Sequence, residues 1–426
     1  MSIDPSANLS TDDADNTRRQ FLRLAGGGMA AIATGAWAAA TPEIEANKVT
    51  LPPLNAPTEQ QEKPQDPSAP PARRVGFAIV GLGHLSLNQI LPAFGKSKYA
   101  YPAALVSGDP VKARKIAAQY GIDAASIYNY QNYDELAHNP RVDVVYVVLP
   151  NSMHREFTVR AAKAGKHVLC EKPMATSVAD CEAMIAACAQ AGRKLMIGYR
   201  SQYEPHSRAL VKLLKQNKLG ELREFISANS QNEGDPTQWR LKKAMAGGGP
   251  LPDVGIYSIN QIRFLTGLEP EEVFATTYAP SGDPRFTEVE ASIQYTLRFP
   301  GGLSAACSSA YNSHKSQFFR VQGSTGWAEM SPAFAYNGLK LRTNQVMDGN
   351  EVTQEPAIAE KDQFALELDH MAQCVLQNLT PHTPGEEGLR DQQIIEALYE
   401  SARTHRPVKV PPVKGPLRGP EPAESA

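Results

Sequence analysis

Neither sign of charge dominates this chain: 43 lysines and arginines stand against 45 aspartates and glutamates, a formal net charge of −2. That balance leaves no electrostatic footprint for a nucleic acid or an anionic membrane surface. Cysteine is sparse, with five residues (Cys170, Cys181, Cys188, Cys307, Cys374) and no CxxC spacing. A disulfide framework is not expected in a chain this long, and no metal centre is expected either. Cys181 and Cys188, a heptad apart in a helical pattern, read as buried thiols. Strongly apolar runs are also missing. The best candidate, Leu24 to Ala40, is rich in Gly and Ala and too weakly apolar for stable membrane insertion. Small molecules remain as partners, and 426 residues allow about two domains.

What is present begins with Thr17-Arg18-Arg19-Gln20-Phe21-Leu22, which sets paired arginines ahead of that Gly/Ala-rich run. Residues 1–40 read as a twin-arginine export signal, which makes the twin-arginine machinery a partner and the periplasm the expected compartment. Residues 41–73 hold eight prolines and few large apolar side chains. Such a segment cannot bury a core of its own and reads as an extended arm or linker. It can lie over the adenosine side of a cofactor, or over a neighbouring subunit of a homo-oligomer, dimer or tetramer.

From Arg74 the texture changes. Apolar runs at 75–80, 103–107, 142–149, 167–170 and 194–197 predict strands, and helical patterns at 88–94, 111–120, 155–164 and 178–191 fall between them. This alternation builds an α/β domain over 74–198, a Rossmann-type, doubly wound parallel sheet. After Gly198 strand follows strand, at 222–228, 271–278, 291–299, 303–309 and 318–322, with Pro300-Gly301-Gly302 as a hairpin signal. The second domain, 199–415, is therefore expected to be α+β with a large, mainly antiparallel sheet covered by helices at 256–265, 363–376 and 389–405. Residues 416–426 form a tail.

Chemistry concentrates at the carboxyl ends of the parallel strands, where open α/β sheets bind ligands. Gly81-x-Gly83 follows the first strand and precedes a helix, the context in which a glycine pair lets backbone approach a pyrophosphate. Ser86 stands where a third glycine is usual. The second strand ends at Ser107-Gly108-Asp109; Ser107 with Lys112 can hold the extra phosphate of NADP, and Asp109 is the feature that speaks against it. Asn151, past the strand at 142–149, is a candidate contact for the nicotinamide side. His154 is another, with a capping or surface role as the alternative. Glu171-Lys172-Pro173 stands just past the strand at 167–170. A lysine there reaches a substrate hydroxyl, and burial beside a positively charged ring is expected to lower its pKa. Further on, Gly247-Gly248-Gly249-Pro250 leads to Asp253 and Tyr257, one helical turn apart on one face. Such a pair can orient a sugar hydroxyl and exchange its proton, where a lysine cation stabilises the phenolate. The alternative, Asp253 as a helix cap and Tyr257 as core, is disfavoured by the lysine.

Together, Ala78-Ile79-Val80-Gly81-Leu82-Gly83, Glu171-Lys172-Pro173 and Gly247-Gly248-Gly249 with Asp253-x-Gly255-x-Tyr257 resemble the Gfo/Idh/MocA oxidoreductase family, and within it the glucose–fructose branch. The likeness runs from about Arg74 to Pro407 and includes Ile197-Gly198-Tyr199-Arg200 and Pro384-Gly385-Glu386-Glu387-Gly388. It implies a tightly held NADP that is reduced by an aldose (glucose to gluconolactone) and reoxidised by a ketose (fructose to sorbitol). It also implies catalytic roles for Lys172, Asp253 and Tyr257, and an adenosine-phosphate site at Ser107, Lys112 and Tyr130. Glu171 and Asn151 join the glycines among the cofactor contacts. His84 after the second glycine and the stretch 331–356 depart from the family pattern. Two other readings stand beside this one: a dehydrogenase with exchangeable NAD(P), and a sugar- or nucleotide-binding protein without turnover, which the intact Lys172, Asp253 and Tyr257 oppose.

Overall fold

The computed structural model describes residues 74–422 and the backbone of two short antiparallel strands, Glu43–Glu45 and Lys48–Thr50. The expected export signal and the rest of the Pro-rich arm lie outside the described residues. A six-stranded parallel sheet is formed by β1 (Val75–Val80), β2 (Ala100–Val106), β3 (Ile127–Tyr128), β4 (Val144–Val147), β5 (His167–Glu171) and β6 (Leu195–Gly198). Their order is β3-β2-β1-β4-β5-β6, so the strand order reverses between β1 and β4, which opens the ligand crevice of such sheets. Every residue of β1 and β4 is buried, which is why these strands are apolar throughout instead of alternating.

Local signals set the helices between them. Helix α1 (Pro110–Tyr120) starts at Asp109, whose carboxylate accepts from the backbone N–H groups of Val111 and Lys112, and stops at Gly121 with φ 65°. These are ordinary start and stop devices. Helix α2 (His154–Lys163) and α3 (Val178–Gln190), capped by Ser177, cover one face of the sheet. The first crossover is a wide turn of π-helix at Ser86–Ile90 running into Leu91–Ala93.

The second sheet has nine strands: β7 (Leu222–Asn232), β8 (Glu272–Tyr278), β9 (Ser292–Arg298), β10 (Ser304–Ala310), β11 (Asn312–Gly323), β12 (Gly326–Met330), β13 (Leu341–Met347), β14 (Asn350–Gln354) and β15 (Val408–Lys409). All its pairings are antiparallel except β7 with β10. The hairpin at Pro300–Gly302 joins β9 to β10 as expected. Strands β12 to β14, and helix α4 (Pro205–Lys215), were not marked by the sequence patterns. Helix α5 (Ile256–Thr266) packs on the sheet, and α7 (Gly385–Thr404) starts four residues before the expected 389.

One expectation is corrected. Helix α6 (Gln363–Leu376) does not cover the antiparallel sheet. Its Phe364, Ala365, Leu368, Met371 and Ala372 share a buried cluster with Val75, Phe77 and Ile79 on the parallel sheet. Apolar periodicity marks which helix residues seek cover, not which surface supplies it. The five cysteines are free and buried, and burial pushes the thiols of Cys188, Cys307 and Cys374 up to about 12. Among the described residues no cluster of three or more His, Cys, Asp or Glu could hold a metal, and no helix is long and apolar enough to cross a membrane.

Candidate active site

The turn after β1 is built around two glycines of different kinds. Gly81 has φ 94°, and a Cβ on it would fall 2.2 Å from the carbonyl oxygen of Val148; the protein's own backbone demands glycine there. At Gly83 a Cβ would meet nothing within 4 Å, so that glycine keeps open a space no protein atom fills. Ser86, in the place of the third glycine, is fully buried and donates to the Gly81 carbonyl at 2.5 Å, tying the turn shut. Beside it, Lys112 donates its ammonium to the carbonyl of Leu82 at 3.2 Å, and the Ser107 hydroxyl accepts from the Asp109 N–H at 3.1 Å. The Tyr130 ring lies against Gly108, 3.2 Å from where a Cβ would stand. Gly81, Gly83, Ser107, Lys112 and Tyr130 thus converge at the ends of β1 and β2. Asp109, which clouded the choice of nucleotide, is engaged as the cap of α1, and the Lys112 N–H that it accepts helps hold its carboxyl below the usual range.

The ends of β4 and β5 hold the next group. Asn151 is 3% exposed and donates to the Ala246 carbonyl at 2.8 Å, linking β4 to the glycine loop. His154 is neither a cap nor on the surface: it is fully buried, its ring nitrogens 2.9 Å from the Pro173 carbonyl and 2.8 Å from that of Leu149. Burial depresses its pKa, and the ring ties the Lys172-Pro173 segment, whose peptide is cis, to the end of β4. The Glu171 carboxylate is taken up inside the core by the Tyr146 hydroxyl at 2.7 Å and the Lys172 N–H at 3.2 Å.

Lys172 points at the start of the helical segment Leu251–Gly255 that runs into α5. Its ammonium donates to the Asp253 carbonyl at 2.6 Å and to Asp253 Oδ1 at 3.2 Å. Asp253 Oδ2 accepts from Arg240 Nε at 3.1 Å and from the Tyr311 hydroxyl at 2.7 Å. Asp253 makes no capping bond; it is the hub of a charged cluster. Burial alone would raise its pKa, but Lys172, Arg240 and the Tyr311 bond hold it well below the usual carboxylate range. For Lys172 the expectation of a lowered pKa is corrected. Burial does pull it down, yet Tyr257, Asp253 and Glu171 together raise it above the ordinary lysine value, because the groups facing it outweigh its desolvation.

Tyr257, one turn beyond Asp253, lies between cations. Lys172 Nζ is 4.6 Å and Arg200 Cζ 4.9 Å from its ring centroid. Arg200 is 4% exposed and also stacks on Tyr336 at 4.6 Å. It is fixed by the Gln363 side chain at 2.5 Å and the carbonyl of Phe334 at 2.6 Å. The glycine run upstream is a packing requirement: a Cβ on Gly248 would sit 1.9 Å from the Tyr399 hydroxyl. That hydroxyl donates to Glu290 at 2.8 Å, and Glu290 accepts the Gly249 N–H at 3.0 Å, so α7 sets where Pro250 to Tyr257 lie. Arg200, Arg240, Tyr311 and Tyr336 were missed by the sequence reading. Only Arg200 carried a signal, since it stands just past β6 as Lys172 stands past β5.

Comparison with known proteins places this geometry among relatives. The model of an oxidoreductase family with an NAD-binding Rossmann fold, GFO_IDH_MocA, matches residues 75–199, and the GFO/IDH/MocA C-terminal domain matches residues 207–329. D-xylose 1-dehydrogenase [NADP(+)] of Haloarcula marismortui is 31% identical over 343 residues, covering 79% of this chain and 93% of that protein. Trans-1,2-dihydrobenzene-1,2-diol dehydrogenase of Mus musculus is 27% identical, over 78% of this chain and 96% of that protein. Among solved structures, aldose-aldose oxidoreductase from Caulobacter crescentus complexed with glycerol is 48% identical. It superposes with a TM-score of 0.76 over 79% of this chain and all of that one (100%).

Proposed function

This chain belongs to the GFO/IDH/MocA oxidoreductase family, and we propose that it is an NADP-linked sugar oxidoreductase that oxidises an aldose and reduces the carbonyl of a second sugar in one site. The observation that carries this reading is the convergence of Lys172, Asp253 and Tyr257 at the strand ends of the parallel sheet, with two cations on one phenol. The residues fit the nucleotide: Gly83 leaves a space that a side chain would fill, and Ser107, Lys112 and Tyr130 surround the end of β2, where the adenosine phosphate would be held. When bound, that cofactor supplies the hydride acceptor for the first half-reaction and the donor for the second.

The protein's part is the proton. Tyr257 takes the proton of the anomeric hydroxyl as the sugar is oxidised and returns it to the carbonyl oxygen of the second sugar. Lys172 and Arg200 stabilise the phenolate between these events. The ionised Asp253 offers about four lone-pair sites, of which Lys172, Arg240 and Tyr311 take three; the remaining one can accept a sugar hydroxyl and orient the ring.

The paired Arg18-Arg19 ahead of a Gly/Ala-rich run supports export by the twin-arginine route, which carries folded proteins, so the cofactor would be loaded before export and retained in the periplasm. We include a homo-oligomer in the same reading. A second reading, a dehydrogenase with exchangeable NADP, is favoured by the likeness to D-xylose 1-dehydrogenase [NADP(+)]. The test uses purified protein with no cofactor added. Near-ultraviolet absorbance of reduced nicotinamide should appear on adding glucose or xylose and vanish on adding fructose or a second aldose. Protein that is silent alone but turns over with added NADP decides for the exchangeable dehydrogenase.

A further inference from the structure

Behind Lys172 lies a buried cluster for which the proton chemistry above has no use. Tyr146 on β4 and Glu367 on α6 are both fully buried, and Glu171 is 7% exposed. The Tyr146 oxygen lies 2.7 Å from Glu171 Oε1 and 3.2 Å from Glu367 Oε2. A phenol carries one hydrogen, so Tyr146 donates to one carboxyl and must accept from the other. Burial raises the Glu171 carboxyl, yet Glu171 is the better placed of the two to be the anion: its second oxygen accepts the Lys172 N–H at 3.2 Å, and the Lys172 and Arg200 charges and the Tyr146 bond work against its burial. Glu367 shares the Arg200 charge but has no backbone N–H like that of Lys172. Its Oε1 is buried with no hydrogen-bond partner, and an ionised carboxylate with a bare buried oxygen, one phenol away from a second carboxylate, is a costly arrangement. A neutral acid removes the conflict, because its O–H satisfies the phenol oxygen and the phenol hydrogen satisfies Glu171.

We propose that Glu367 is a positioning residue for the hydride-transfer site: it stays a neutral acid, donates to Tyr146, and through that hydroxyl keeps Glu171 ionised beneath Lys172. The inference rests on the reading of Lys172 as part of an oxidoreductase site. Other groups facing the cluster are consistent with it. Burial pushes the Glu367 carboxyl well above the usual range, and Glu171 adds to that, outweighing the Tyr146 bond and Arg200; Tyr203 and Tyr336 are the further titratable neighbours. Keeping the proton on Glu367 preserves one of the anions that hold Lys172 charged, and with it the cation on which the Tyr257 phenolate depends.

Two nearly isosteric variants separate this from a packing role. Infrared difference spectra of wild type against Glu367→Gln at neutral pH should contain the C=O stretch of a buried carboxylic acid that the variant lacks. This readout needs no turnover, so it stands even if the sugar chemistry proves different. In pH–rate profiles of sugar oxidation, Glu367→Gln keeps an N–H donor for Tyr146 and should keep the wild-type profile. Tyr146→Phe takes the donor from Glu171 and should move the acid limb up by about one pH unit. Absence of the infrared band, a displaced profile in Glu367→Gln, or an unmoved one in Tyr146→Phe overturns the proposal.

Discussion

Lys172 and Arg200 reach the same phenol from the ends of adjacent parallel strands, their charged groups 4.6 and 4.9 Å from the centroid of the Tyr257 ring. That place between two charged groups, one turn beyond Asp253, makes Tyr257 the expected proton carrier. Tyr257→Phe should slow sugar oxidation and carbonyl reduction alike by about 10²–10⁴, with bound nucleotide retained. Stopped-flow absorbance reads the two half-reactions separately. Near-normal rates in Tyr257→Phe, with loss of both in Lys172→Met, would assign the proton to the lysine.

Nucleotide choice should follow the end of β2. Asp109 is committed to capping α1 and Lys112 lies across the glycine turn, which leaves Ser107 as the side chain to alter. Ser107→Asp removes a donor and adds repulsion toward a phosphate, worth about 1–3 kcal/mol in favour of NAD over NADP. Dissociation constants for the two nucleotides measure the shift; an unchanged ratio would mean that the phosphate is held elsewhere.

The glycine loop is predicted to be intolerant of one methyl group. In Gly248→Ala the new carbon would overlap the Tyr399 hydroxyl, an overpacking cost of about 1–3 kcal/mol that also displaces Asp253 and Tyr257. Thermal unfolding and sugar oxidation should both suffer. Adding Tyr399→Phe should restore part of the stability, since it removes the clashing oxygen.

Acid stability should depend on His370. Its Nε2 accepts the His382 N–H at 2.8 Å, and burial, with His382 and Arg208 nearby, pushes its pKa from 6.5 down to about 3. Because the folded value lies below the unfolded one, the contribution is complete above pH 6.5 and is lost as pH falls toward 3. The loss between pH 7 and pH 5 is about 2 kcal/mol. Urea unfolding of His370→Gln should vary less with pH over that interval; an equally steep dependence would place the effect on other groups.

Much of this site could be read from the chain because it sits on local signals. Gly81, Lys172, Asp253 and Tyr257 each follow a strand end or open a helix, where spacing alone fixes direction. Arg240 and Tyr311 carry no such mark; they reach Asp253 only after a loop and a strand have folded back on it. The direction of the Lys172 shift failed for the same reason, since burial can be inferred from a strand end and the identity of the facing anions cannot. Helix α6 was recognised to the residue, yet its partner was misassigned, because the β1 residues that it covers lie more than 250 residues earlier in the chain.

That placement of α6 sets when the nucleotide-binding half can be completed during synthesis. One face of its sheet is completed by Phe364, Leu368 and Met371, and Asp369 binds the Ser97 hydroxyl at 2.5 Å and the Tyr99 N–H at 2.8 Å. The edge strand β6 is held by Thr383, whose carbonyl accepts the Ile197 N–H at 2.8 Å. A chain released only through its first two hundred residues therefore has that face covered in part, by Leu87, Ile90, Leu91, Ile116 and their neighbours, and lacks the α6 share. The part of the chain that is translated first is among the last to mature, and a nucleotide site assembled on it must wait for the final quarter of the polypeptide.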